Sequence, residues 1–237
     1  MIEIVGFDAD DTLWHSEIHF QNAHAEFERI VGRYVDLADA AHHATLLATE
    51  RRNIQLFGYG AKGMVLSMIE TAVQMTDERI SAADIHRLLD LGKAVLSHEV
   101  ELLPGVREAV ESVARDWPVV LITKGDLFHQ EAKVRASGLA GLFGRIEIVS
   151  EKDQPTYRRL LTEFAVPAER FVMVGNSLRS DIEPVVRIGG FGVHVPYHVT
   201  WAHEAEHGLV DGHERMVEVT DAAAVGAAVR AFDRAGD

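Results

Sequence analysis

Ile2-Glu3-Ile4-Val5-Gly6-Phe7-Asp8-Ala9-Asp10-Asp11-Thr12 is the stretch on which the fold turns. Its first half is an apolar run rich in β-branched residues and broken once, by Glu3. That pattern predicts a strand over 2–7, buried in a parallel sheet. It stops abruptly at a cluster of carboxylates. From His15 to about Val100 the period becomes helical, with helices expected near 16–33, 37–55, 62–76 and 81–99. The breaks fall at Gly32, over 57–63 and over 76–81, where Ser81 can cap the helix that follows. Beyond Leu103-Pro104-Gly105 strands and helices alternate. Strands are expected near 119–123, 146–149, 171–174, 191–195 and 216–219, and helices near 105–115, 126–137, 153–164, 181–188 and 221–234. This alternation predicts an α/β fold, a parallel sheet with helices on both faces. An all-helical insertion of about 85 residues interrupts it right after the first strand.

Composition narrows the function. The chain has 237 residues, enough for one large domain or a domain plus an inserted module. Lys and Arg number 23 against 37 Asp and Glu, a formal charge of −14. So acidic a chain is expected to bind neither nucleic acid, which needs a basic face, nor an anionic membrane. With no cysteine, disulfides, thiolate zinc sites and cysteine nucleophiles are excluded. No apolar run approaches the roughly 18 residues of a membrane span, and the first residues lack the pattern of a signal peptide. A cytoplasmic acidic enzyme is the expectation.

Ligands of open parallel sheets bind beyond the carboxyl ends of the strands. Four such ends carry polar residues here. Asp8 and Asp10 lie two apart, and side by side they would repel by about 4 kcal/mol at an effective dielectric near 20, which a divalent cation or a shared proton relieves. Thr123-Lys124-Gly125 offers a hydroxyl and backbone amides to an anion. Lys152 is a point charge suited to phosphate. The loop from Gly175 to Asp181 holds hard oxygen ligands in Asn176 and Asp181.

This set, in this order, resembles the haloacid dehalogenase superfamily, and its phosphatase branch of phosphoglycolate phosphatase type in particular. Asp8, Asp10 and Thr12 match its first motif, Thr123 the second, Lys152 the third, and Asn176 with Asp181 the fourth. The resemblance implies a Rossmann-like core over 1–14 and 101–237 with a helical cap over 15–100. It also implies Mg²⁺-dependent hydrolysis of a small phosphorylated metabolite. Asp8 would be the nucleophile that forms an aspartyl phosphate, and Asp10 the general acid and base. Asp8, Asp10, Asn176 and Asp181 would be the metal set. Thr123, Lys124, Gly125 and Lys152 would bind phosphate. Oligomeric state and substrate identity stay open.

Two positions depart from the family pattern. Asp11 stands where Gly is usual, with no physical reason evident in the sequence. Asn176 stands where Asp is common, which removes one negative charge and weakens metal binding or shifts it to Asp181. Ser180 and Glu183 also fit a capping box around Asp181, and Pro184 is tolerable in a first helical turn. The competing chemistry is metal-independent cleavage of 2-haloacids. It needs no acid two residues after the nucleophile, so Asp10 favours phosphate esters. A catalytically weak member kept for binding or regulation is a third reading.

Two other patterns are set aside. Gly58-Tyr59-Gly60-Ala61-Lys62-Gly63 matches a dinucleotide fingerprint but follows a helix rather than a strand. It is expected to be an interhelical loop, with Tyr59 and Lys62 as candidates to contact the leaving group. His203-Glu204-Ala205-Glu206-His207 matches a zinc-protease helix, but its segment is too short. With His194, His198 and His213 it is expected to form a histidine-dense surface. Trp14 and His15 are expected to pack at the hinge.

Overall fold

The structure is a computed structural model and describes residues 1–37, 40–199, 208–209 and 213–235. Six strands form one sheet: β1 (Ile4–Phe7), β2 (Val119–Lys124), β3 (Arg145–Val149), β4 (Phe171–Gly175), β5 (Phe191–His194) and β6 (Met216–Glu218). The order is β3-β2-β1-β4-β5-β6 and every pairing is parallel. β1 is shorter than expected. Ile2 lies outside it, and its amide donates to Asp233 at 2.5 Å.

Side chains on a strand alternate between faces, and the two faces have separate cores. Val5, Phe7, Val119, Leu121, Val172 and Val174 pack with α5 (Val106–Ala114) and α9 (Val225–Ala235). Val120, Ile122, Phe171 and Met173 pack instead with α7 (Gln154–Phe164) and α8 (Glu183–Arg187). Both sides of the sheet are thereby covered. This explains why the strands read as continuous apolar runs.

The chain divides into two compact units. The sheet unit comprises Met1–Glu17, Val100–Lys124 and Gln130–Asp237, and the helical unit Ile18–Glu99 with Gly125–His129. The sequence reading placed these limits at 14/15 and 100/101, and did not anticipate that 125–129 group with the helices. The helical unit is built on α1 (Glu17–Val31), α2 (Ala40–Phe57), α3 (Ala61–Met75) and α4 (Ala82–Ser97). Its apolar core includes Phe27, Ile30, Met64, Met68 and Leu88. Ser81 caps α4, accepting from the Asp84 amide at 3.1 Å. Asp84 is also the polar hub of this unit: Tyr34, Arg33 (2.5 Å) and Arg87 (2.8 Å) all donate to it. Those bonds, Tyr34's first, hold its carboxyl well below the usual carboxylate range. Among the described residues no helix is long and apolar enough to cross a membrane.

Candidate active site

β1 lies between β2 and β4, and the chain runs outward from it on both sides. Its carboxyl end is therefore the crevice where open α/β sheets take ligands. Phe7 pairs with Leu121 and with Val174, so Asp8, Thr123 and Asn176 all lie within two residues of those pairs, at the carboxyl ends of their strands.

The loop after β1 turns at once. The amides of Thr12 (3.2 Å) and Leu13 (2.7 Å) donate to the Ala9 carbonyl, and Asp11 takes a left-handed φ of 60°. Glycine adopts that conformation without strain, which is why Gly suits the position. Asp11 has a compensating role that the sequence did not reveal. Its carboxylate accepts from the Ser16 amide at 2.9 Å and the Glu17 amide at 3.1 Å, capping the start of α1. Burial, and then the charge of Asp10, push the Asp11 carboxyl up to about 7. Near it Tyr197 Oη and His15 Nδ1 share a hydrogen bond of 2.6 Å.

Asp8, Lys152 and Asp181 form a buried triad. Lys152 Nζ donates to Asp8 Oδ1 and, at 2.7 Å, to Asp181 Oδ1. Burial alone would drive a proton off Lys152. The charges of Asp181 and Asp8 and the bonds to both outweigh that, so its pKa lies above the usual lysine range. Two carboxylates share this one ammonium. Burial, then Asp181, accordingly push Asp8 upward, to about 7, against the pull of Lys152.

Asp181 is held by its own loop. Residues Leu178–Ile182 form a π-helical turn, with Ile182 N donating to Ser177 O at 3.3 Å. Ser177, not Ser180, is the cap: its hydroxyl accepts from Ser180 N at 3.0 Å, and Asp181 Oδ2 accepts from Ser177 N at 3.0 Å. The expected box is displaced because the helical turn already starts at Leu178, as a π turn followed by Pro184 with no amide proton, so the cap lies three residues earlier. Gly175 makes room for the result. A Cβ there would lie 2.2 Å from Asp181 Oδ2.

Asp10 has a cation of its own. Lys133 Nζ donates to its two oxygens at 2.6 and 2.7 Å, Trp14 Nε1 to Oδ1 at 2.7 Å, and Gln130 Nε2 to Oδ2 at 3.2 Å. Gln130 Nε2 also donates to Thr123 Oγ1 at 2.7 Å, which leaves the Thr123 proton to face a ligand. Lys124 Nζ donates to Ser180 Oγ at 2.9 Å. The repulsion between Asp8 and Asp10 is thus relieved by two lysines, a solution not foreseen from the sequence. Trp14 is buried as expected but also binds the carboxylate through its indole N–H.

Asn176 meets the first motif directly. One terminal atom of its side chain lies 3.2 Å from Thr12 Oγ1, 3.2 Å from the Asp10 carbonyl and 3.3 Å from Asp8 Oδ2. Thr12 Oγ1 itself donates to Asp8 Oδ2 at 3.0 Å, so it can only accept here. The Asn176 atom is therefore the amide nitrogen. Were the amide turned over, its oxygen would face the same oxygens, tolerable only with a cation among them. In that orientation a carboxylate, a carbonyl and an amide oxygen would converge, hard donors of the kind Mg²⁺ takes, and so the residues present fit that ion only with the amide turned over. Asp181 commits both oxygens to Lys152 and Ser177. Among the described residues no three His, Asp or Glu side chains form a metal cluster.

Gly125 follows β2 with a φ of 141° and belongs to the helical unit. In that unit Lys62 Nζ pairs with Asp126 at 2.9 Å, and Tyr59 is half-buried in the turn before α3. His194 corrects the expectation of a histidine-dense surface. It is buried at the end of β5, with Nε2 3.0 Å from the Asn176 carbonyl and Nδ1 3.0 Å from Glu218. The paired histidines His203 and His207 lie outside the described residues.

A family model described as haloacid dehalogenase-like hydrolase matches residues 2–189. The chain is 55% identical to a haloacid dehalogenase-like family hydrolase from Xanthomonas campestris, covering 99% of this chain and 97% of that one with a TM-score of 0.90. It shares the fold of a 2-haloacid dehalogenase from Pseudomonas syringae pv. tomato, with 20% identity, 98% and 100% coverage and a TM-score of 0.63. It also shares the fold of the Bacillus subtilis protein YfnB bound to magnesium, with 15% identity, 96% and 98% coverage and a TM-score of 0.61. Comparison with curated protein sequences gives no match.

Proposed function

The chain belongs to the haloacid dehalogenase-like hydrolase family, and we propose that within it this protein is a Mg²⁺-dependent phosphomonoester hydrolase acting on a small phosphorylated metabolite. One observation carries the choice: a second carboxylate, Asp10, stands two residues from Asp8 and is held by three donor side chains. A phosphate ester needs a proton delivered to its leaving oxygen, whereas a halide leaves without one.

In this reading an Asp8 oxygen attacks phosphorus and the bond to the ester oxygen breaks. Asp10 delivers the proton that the leaving alkoxide takes. Asp10 then accepts a proton from the attacking water, which releases phosphate and restores Asp8. Lys152, held by Asp8 and Asp181, and the Thr123 hydroxyl face the charge that develops on the phosphoryl oxygens. Asp8, the Asp10 carbonyl and Asn176 would hold Mg²⁺, which when bound offsets the negative charge of Asp8 and of the phosphate. The helical unit would act as the cap, with Tyr59 and Lys62 selecting the leaving group.

A phosphate-release screen with Mg²⁺, comparing wild type with Asp8→Asn, tests this. Release that is lost in the variant and in EDTA supports it; release unaffected by EDTA refutes the metal role. A metal-independent 2-haloacid dehalogenase is the second reading. It is favoured by the Asn176 amide donating to the oxygens that a cation would otherwise bridge. Chloride release from 2-haloacids without metal would establish it.

A further inference from the structure

Resting on the phosphoester reading above, we propose that Lys133 is a positioning residue that aims the Asp10 carboxylate at the leaving oxygen of the ester. Lys133 and Gln130 lie three residues apart on α6 (Leu127–Ala136), and so on one helical face. That face is polar and buried: Gln130 is 2% and Lys133 3% exposed. Leu127 and Phe128 of the same helix are 55% and 76% exposed. Val134 of the same helix joins the apolar core, and Gln130 and Lys133 are buried beside it.

Burying an ammonium is unfavourable unless it is paired and hydrogen-bonded. The hydrogen bonds of Lys133 Nζ both go to Asp10, whose side chain is 30% exposed. With Trp14 Nε1 on Oδ1 and Gln130 Nε2 on Oδ2, four contacts fix the plane of one short carboxylate. Gln130 extends the arrangement to the second motif through Thr123 Oγ1 and, at 3.2 Å, the Lys124 carbonyl. The proton donor and the phosphate-binding hydroxyl are thereby tied to one amide.

The test uses two esters of similar shape, 4-nitrobenzyl phosphate and 4-nitrophenyl phosphate, with Mg²⁺. The first leaves as an alkoxide and needs the proton; the second leaves as a stable phenolate and does not. kcat/KM covers the steps through departure of the leaving group. In Lys133→Met it should fall at least about tenfold for the benzyl ester and less than about threefold for the phenyl ester. Lys133→Arg should recover most of the benzyl rate. An equal loss on both esters, or no loss on either, overturns the proposal. If circular dichroism shows that Lys133→Met does not fold, Lys133→Gln, which keeps a donor, is read in the same way. The phosphoester reading fails separately: wild type then cleaves neither ester, and the positioning role falls with it. If Asp8→Asn abolishes both activities while Lys133→Met treats the esters alike, only the role of Lys133 is lost.

Discussion

Replacing Asp11 separates two effects that the fold combines at one residue. Its carboxylate caps α1 by accepting from Ser16 N and Glu17 N, and its backbone sits at a φ of 60°. Losing a carboxyl cap of this kind costs about 2 kcal/mol at a pH below that at which the folded group ionises. A residue with a Cβ and no local polar group adds about 1 kcal/mol in the left-handed region, which glycine avoids. Asp11→Ala should therefore lower stability by about 3 kcal/mol and Asp11→Gly by about 2 kcal/mol. Asp11→Asn keeps an acceptor and tolerates the backbone, so it should cost least. At roughly 3 °C per kcal/mol for a chain of this size, melting temperatures should fall by about 9 °C in Ala and about 6 °C in Gly. The assay is thermal melting by circular dichroism at one protein concentration. Equal losses in Ala and Gly would refute the backbone argument. An Asn variant as damaged as Ala would refute the capping argument. A pH series adds a sign. Burial and Asp10 raise the folded Asp11 carboxyl to about 7, above the ordinary value near 3.9 of the unfolded chain. The wild type then loses this contribution as pH rises from about 4 to about 7, and Asn does not titrate. Relative to wild type, Asp11→Asn should gain stability across that window.

Gly175→Ala should force Asp181 away from Lys152, because the new Cβ falls 2.2 Å from its Oδ2. A destabilisation of about 1–3 kcal/mol with at least a tenfold loss of phosphate release is expected, and wild-type melting and rate would refute the close approach. Asp84, whose folded carboxyl is held low by Tyr34 and Arg33, stabilises the helical unit above about pH 4 and loses that effect as pH falls through its folded value. Asp84→Asn should melt below wild type at pH 7, with the gap narrowing at pH 3; a constant gap would refute the ionic contribution.

The charge of −14 takes on a local meaning. Asp8, Asp10 and Asp181 meet two buried lysines, Lys152 and Lys133, so the site holds far less net charge than its carboxylates suggest. Lys133 was not legible in the sequence. A lysine in a helix of weak periodicity reads as solvated, and only packing decides which face of that helix is buried. His194 and Ser177 escaped for related reasons: one depends on a strand end meeting a loop, the other on a π turn that puts the cap three residues before the expected one.

The sequence by itself determined the parallel sheet, the helical insertion and the family, because these rest on short-range periodicity and on motifs whose spacing along the chain is their signal. Asp8, Thr123, Lys152 and Asn176 were visible as candidates because strand ends are visible. Tertiary structure alone decided what each carboxylate meets. Asp8 shares its lysine with Asp181, Asp10 has its own with Trp14 and Gln130, and Asp11 turns to cap α1. These partners come from residues as many as 144 positions apart. A buried charge must be satisfied by whichever donors packing brings to it, and no local pattern encodes that choice.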